Sequence, residues 1–227
     1  MQIIYEDNHL IAVNKPSGAL VQGDETGDRP LSEDVKLYIK DRYNKPGDVF
    51  LGVIHRLDRP VSGVVIFART SKALERMNRL FQERKIEKTY WAIVNERPEP
   101  ITGKLTHFIL KDKSKNIVKA FDFQSSRAKD AKEAILEYDL IAEIGNQHLL
   151  EVHPLTGRPH QIRAQLAKIG CPIRGDLKYG APKANEDGSI CLHCRKLAFE
   201  HPVTKVRVEI SARPPENQYW RIFNNLI

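Results

Sequence analysis

In the segment HRLDRPVSG, His55 to Gly63, a single carboxylate, Asp58, is set among three side chains able to carry positive charge: His55, Arg56 and Arg59. An acid with cationic neighbours stays an anion at neutral pH. That suits it to act as a nucleophile or an electrostatic stabiliser better than as a proton donor. The same residues could equally form an ordinary exposed ion pair, worth about 0 to 1 kcal/mol. Two further places combine regular structure with polar groups suited to catalysis: Tyr90, and TGRPHQIR from Thr156 to Arg163. The chain has no GxxxxGK or GxGxxG loop for a nucleoside triphosphate or dinucleotide, no GxSxG elbow and no HExxH pair.

The elements that must position these groups follow from apolar spacing. IIYEDNHLIAVNKP reads as two strands joined by a turn at Asp7 and Asn8. Leu31, Val35, Tyr38 and Ile39 recur at helical spacing until Lys45, Pro46 and Gly47. Val49 to Ile54 reads as a buried strand entering the Asp58 connection and Gly63 to Ala68 as one leaving it, so Asp58 is displayed between rigid elements. A second helix starts near Ser71, taken as its cap, with Leu74, Met77, Leu80 and Phe81 on one face and Arg76, Arg79 and Arg84 on the polar side.

The β-branched and aromatic run TYWAIV, Thr89 to Val94, is a strand. Further strands are expected at Leu105 to Leu110, Ile117 to Phe121, Ala134 to Ile141 and His148 to Val152, the last two separated by a Gly145, Asn146 turn. HQIRAQLAKIG, His160 to Gly170, returns to helical spacing, with Arg163 on its own face. Strands near Cys191 to Phe199 and Lys205 to Ile210 close the chain. Runs of adjacent strands broken by a few helices predict an α+β fold with a large mixed, mostly antiparallel sheet, arranged as one domain over residues 1–227.

Composition narrows the partner. The 36 Lys and Arg against 29 Asp and Glu give a net charge of +7, which favours a polyanion, nucleic acid first. No run approaches the roughly 18 apolar residues of a membrane span, and the first residues lack a basic segment followed by an apolar one, so a soluble cytoplasmic protein is expected. Three cysteines are too few for a disulfide framework. Cys191 and Cys194, with His193 and His201, could be imagined around zinc, but no second CxxC or paired histidine motif completes a ligand set.

Taken together the motifs closely resemble the RluA-type pseudouridine synthase family. HRLDRPVSG is similar to its central signature and NKPSG, Asn14 to Gly18, to its opening motif. KTYWAIV, Lys88 to Val94, resembles the strand bearing the family tyrosine. HPLTGRPHQIRAQLAKIGCPIRGDLKYG, His153 to Gly180, resembles the long third motif, and LHCRKLAFEHP, Leu192 to Pro202, the late strand and turn. The motifs stand in the family order across nearly the whole chain. They begin at residue 3, which implies a short form without an N-terminal RNA-binding domain.

The resemblance implies an enzyme that isomerises uridine to pseudouridine in tRNA, ribosomal RNA or both, working as a monomer with no cofactor and no metal. It makes Asp58 the catalytic aspartate acting at the ribose anomeric carbon, Arg163 its ionic partner, and Tyr90 the residue against the base. It makes Arg56 the side chain that fills the place of a flipped nucleotide. His55, Arg59, Lys15, Arg158 and His160 are carried over as substrate-binding candidates, although His160 also suits a structural place at the start of its helix. Three positions depart from the family pattern: Val61 replaces a threonine, Pro159 a threonine or serine, and Gln165 a histidine. A binding module without chemistry, or a zinc-dependent deaminase built on Cys191 and Cys194, are the alternatives. Neither explains Asp58, Tyr90 and Arg163 together.

Overall fold

The computed structural model describes residues 1–112, 116–124 and 128–226. Among them are eleven strands and three α-helices, and every strand pairing with a defined register is antiparallel, as the α+β expectation requires. The chain forms two compact units, Met1–Glu87 with Cys194–Pro215, and Lys88–His193 with Glu216–Ile227.

In the first unit β1 (Gln2–Glu6), β2 (Leu10–Lys15), β4 (Ser62–Ala68) and β10 (Leu192–Glu200) lie in that order; β11 (Arg207–Ser211) pairs with β10 and β3 (Gly52–Val53) with β4. The uninterrupted apolar runs of β2 and β4 make them interior strands: Leu10 to Val13 and Val64 to Ala68 have no exposed surface. Their register pairs Leu10 with Ala68 and, at the other end, Lys15 with Gly63, so the end of β2 meets the start of β4 just beyond the Asp58 connection. Gly63 has φ +119°, and a Cβ there would run into the backbone of Cys194, so only glycine fits.

Helix α1 (Leu31–Arg42) buries Leu31, Val35 and Ile39, and α2 (Ser71–Gln82) buries Ala73 and Met77. The cap of α2 is Thr70, whose hydroxyl accepts from the Ala73 N–H at 3.1 Å, rather than Ser71. The strand expected from Val49 to Ile54 shortens to the two residues of β3. Gly52 passes so close to Leu74 that a Cβ would lie 2.8 Å from its Cδ2, and Phe50 is half exposed.

In the second unit β5 (Glu87–Val94), β9 (Gln147–Pro154), β8 (Lys132–Ile144), β6 (Thr102–Asp112) and β7 (Ile117–Phe121) follow one another as antiparallel neighbours. Gly145, with φ +57°, makes the β8–β9 turn that the sequence signals. Helix α3 (Gln161–Lys168) forms within the expected segment. Every residue from Gln161 to Leu166 is buried, so Arg163 lies in the interior. An ion so placed needs partners. Of the basic run Lys111 to Lys115, residues 113–115 lie outside the described residues.

Candidate active site

Asp58 stands, half-buried, in the connection from β3 to β4, between the buried side chains of Leu57 and Val61. The Val61 N–H donates to the Asp58 carbonyl at 3.0 Å, closing a tight turn. Val61, where the family has a hydroxyl, therefore anchors the turn by burial.

The NKPSG loop holds this turn through Lys15. That side chain is wholly buried, and its ammonium donates to the carbonyls of Ala19 at 2.8 Å, Pro16 at 3.0 Å and Arg59 at 3.1 Å. The Arg59 carbonyl also accepts from the Gly18 N–H at 2.8 Å, so two donors of one loop converge on the residue after Asp58. Burial pushes the Lys15 amine down to about 8; the nearby Asp58 carboxylate works against the shift by favouring the charged form. Lys15 is thus an interior tether with a positive charge beside Asp58.

The three cationic neighbours separate into different occupations. His55 Nε2 accepts from the Ile66 N–H at 3.1 Å and its ring stacks on Phe81 with centroids 5.2 Å apart. A ring nitrogen accepting from a backbone N–H carries no proton, so in this arrangement His55 adds no charge to the cluster. Arg59 pairs with Asp28 at 2.7 Å, both side chains about half exposed. Arg56 is exposed and precedes Asp58 by two residues in the same connection.

In the second unit Tyr90 lies on β5 opposite Val152 of β9, partly buried. The TGRPHQIR turn is fastened by Gln161, whose Oε1 accepts from the Thr156 hydroxyl at 2.7 Å and the Arg158 N–H at 3.0 Å, while its amide donates to the Ile135 carbonyl at 2.9 Å. Arg158 Nε donates to the Glu133 carbonyl at 3.2 Å. His160 precedes α3 in the left-handed region, φ 50° and ψ 19°, and its Nδ1 lies 2.7 Å from the Tyr179 hydroxyl. Gln165, where the family has histidine, donates to the Ala134 carbonyl at 3.0 Å and to His107 Nδ1 at 3.1 Å, tying α3 to β8 and β6.

Arg163 is 5% exposed and makes a two-point pair with Asp176, Nε to Oδ2 at 2.7 Å and Nη2 to Oδ1 at 2.8 Å. Its guanidinium also lies over the Tyr179 ring, 4.9 Å from the centroid. Sequence reasoning named neither Asp176 nor Tyr179 as a site residue. Their signal was present in GDLKYG, where Gly175, at φ +87° and with Asn185 and the Ser189 carbonyl filling the space of a Cβ, forces a sharp turn just before a buried acid.

Among the described residues no group of three or more His, Cys, Asp or Glu comes together as a metal site. Cys191 is buried, accepts from Asn185 Nδ2 at 3.5 Å, and has its thiol pushed up to about 12 by burial, the opposite of the thiolate a zinc site uses. No helix is long and apolar enough to cross a membrane.

Solved structures place this architecture among pseudouridine synthase domains. Human RNA pseudouridylate synthase domain containing 4 superposes with a TM-score of 0.78 at 25% identity, covering 95% of this chain and 89% of that one. Residues 9–168 match the family described as RNA pseudouridylate synthase, and the chain belongs to that family, as an RluA-type member. Among its relatives, the dual-specificity RNA pseudouridine synthase RluA of Haemophilus influenzae is 32% identical over 94% of this chain and 93% of its own length. The tRNA pseudouridine synthase C of Vibrio parahaemolyticus is 34% identical, covering 93% of this chain and 89% of its own length. The ribosomal large subunit pseudouridine synthase C of Rickettsia bellii is 33% identical over 94% of this chain and 68% of its own length.

Proposed function

We propose that this RNA pseudouridine synthase acts on uridines of tRNA, ribosomal RNA or both, as a cytoplasmic monomer, with Asp58 as the group that works at the ribose. The reaction breaks the bond from N1 to the anomeric carbon and forms one from C5 to the same carbon. The C5 proton leaves and N1 ends protonated, so product and substrate have the same composition and no redox partner is required. A carboxylate beside the anomeric carbon either bonds to it or stabilises the positive charge left when uracil departs. On this reading Arg163 pairs with Asp58, and Tyr90 lies against the base and moves a proton. His55, Arg59, Lys15, Arg158 and His160 serve the loops that hold the RNA or meet it directly.

A uridine reaches such a carboxylate only out of its stack, at a cost of a few kcal/mol that is least in a loop. Arg56, exposed two residues before Asp58, is suited to stack and hydrogen-bond where the base had been. The observation that carries the proposal is the placement of Asp58 on a turn that a buried Lys15 ties to the NKPSG loop, within the segment matched by the family.

The test is chemical. Purified protein with unmodified RNA should yield carbodiimide-reactive pseudouridine, and Asp58→Asn should lower the rate by at least about 10³-fold while still binding RNA. Equal signal from both proteins would sink the role given to Asp58. Absence of product from the unaltered protein on total tRNA and ribosomal RNA would sink the substrate assignment.

A further inference from the structure

We propose that Asp176 and Tyr179 are positioning residues for Arg163: the carboxylate fixes the rotation of the guanidinium and the ring fixes its plane. The proposal rests on the reading of Arg163 as a working partner of Asp58. A guanidinium on a flexible stem has several orientations, and a group misplaced by about 1 Å can cost on the order of 10²-fold in rate. Only a carboxylate offers two acceptors spaced to match Nε and Nη2 together, as Asp176 does at 2.7 and 2.8 Å. The Tyr179 ring then closes one face.

Both residues are themselves held. The Asp176 N–H donates to the Ile173 carbonyl, and its own carbonyl accepts from the Tyr179 and Ala181 N–H groups, each at 3.0 Å. The Tyr179 hydroxyl accepts from the Val118 N–H of β7 at 2.8 Å and meets His160 Nδ1 at 2.7 Å. The hydroxyl thus gains an anchor on each side, and His160, in its unusual left-handed conformation, serves Tyr179 rather than capping α3 with a side-chain bond. Lys178 adds a bond to the Asn116 carbonyl at 3.2 Å, so the segment around Tyr179 is attached at two points, Asn116 and Val118 of β7.

Single-turnover pseudouridine formation, RNA affinity and near-ultraviolet circular dichroism, compared across variants, test the assignment. Asp176→Asn puts an amide N–H against an arginine N–H. It should slow the chemical step about 100-fold while RNA affinity stays within about twofold. Tyr179→Leu should cost about tenfold, and Tyr179→Phe, which keeps the ring, no more than about threefold. In an Arg163→Ala background neither Asp176→Asn nor Tyr179→Leu should slow the reaction further, because the group they position is gone.

Asp176→Asn at the unaltered rate, a loss that tracks RNA affinity alone, or a further loss in the Arg163→Ala background would overturn the proposal. If Asp176→Asn does not fold, the Tyr179→Leu comparison in the two backgrounds decides alone. Failure of the underlying reading looks different: Arg163→Ala would then turn over as fast as the parent protein.

Discussion

Two buried cations, one in each compact unit, are held in opposite ways. Lys15, in the first unit, has its ammonium fed by three neutral carbonyls, with Asp58 as a charged neighbour. Arg163, in the second, is matched in charge and shape by a carboxylate that is itself 1% exposed. The chemistry of the side chains explains the division. An ammonium is a compact point charge with three donors that can fasten several loop carbonyls at once, and burial moves its proton affinity. A guanidinium keeps its charge at every accessible pH and presents a planar fork, so it suits a place where orientation matters. One region uses its cation to set the shape of a loop; the other builds a loop to set the direction of its cation.

The largest effect should come from breaking the matched pair. Arg163→Met leaves the Asp176 carboxylate buried beside a thioether and should cost about 3 to 5 kcal/mol in urea denaturation, and Asp176→Leu should cost a similar amount. Because an apolar pair of similar volume often replaces a buried ion pair without loss, Arg163→Met with Asp176→Leu should be at least about 2 kcal/mol more stable than the sum of the single losses implies. Simple additivity would show that the pair contributes nothing as a pair.

Lys15 should give a smaller effect with a pH signature that Arg163 lacks. Its amine is lowered from the usual 10.5 to about 8 in the folded protein, so folding disfavours the charged form relative to the unfolded chain. Between about pH 8 and 10.5 the unfolded chain holds a proton that the folded one has released, and stability must rise with pH across that window. Fully developed, the shift is worth roughly 3 kcal/mol. The unfolding free energy of the parent protein minus that of Lys15→Met should climb between pH 8 and 9.5, a difference from which titrations common to both proteins cancel, including that of the Cys191 thiol, whose rise to about 12 acts with the opposite sign. Parallel curves for the two proteins would show that the carbonyl cage, rather than desolvation, governs the amine.

The same contrast explains what could be read in the chain. The apolar runs of β2, β4 and β5 and the spacing of α1 and α3 were legible because burial imposes them on sequence directly. Asp58 stood out as a candidate because its loop concentrates unusual residue types in nine positions. The short β3 was not legible, since a close approach of Gly52 to Leu74 is a tertiary event with no periodic trace. Nor were Asp176 and Tyr179: they lie 13 and 16 residues beyond Arg163 and reach it only through a turn shaped by Gly175. Adjacency in sequence put His55 and Arg59 beside Asp58 but carried no trace of their partners in the fold, a backbone N–H for the His55 ring and Asp28 for Arg59. Charge in sequence is a local property, and the partner of a charge is a property of the fold.

The smallest effect should come from that last pair, and its smallness is informative. Arg59 and Asp28 are 2.7 Å apart, as close as Arg163 and Asp176, yet their side chains are 48% and 52% exposed. Water competes for both ions, salt screens what is left, and holding two mobile side chains together offsets much of the gain, so the pair should be worth no more than about 1 kcal/mol. Asp28→Asn should therefore change the unfolding free energy by less than that, and the difference should shrink between 0.05 and 0.5 M salt, ranges over which screening shortens to roughly a few Å. If Arg59 is a substrate-binding residue, releasing it from Asp28 should also strengthen RNA binding at low salt, since one more cation becomes available to phosphate. A stability loss as large as that of Arg163→Met would mean that distance rather than burial sets the worth of an ion pair in this protein. An RNA affinity that does not respond would remove Arg59 from the RNA-contacting surface.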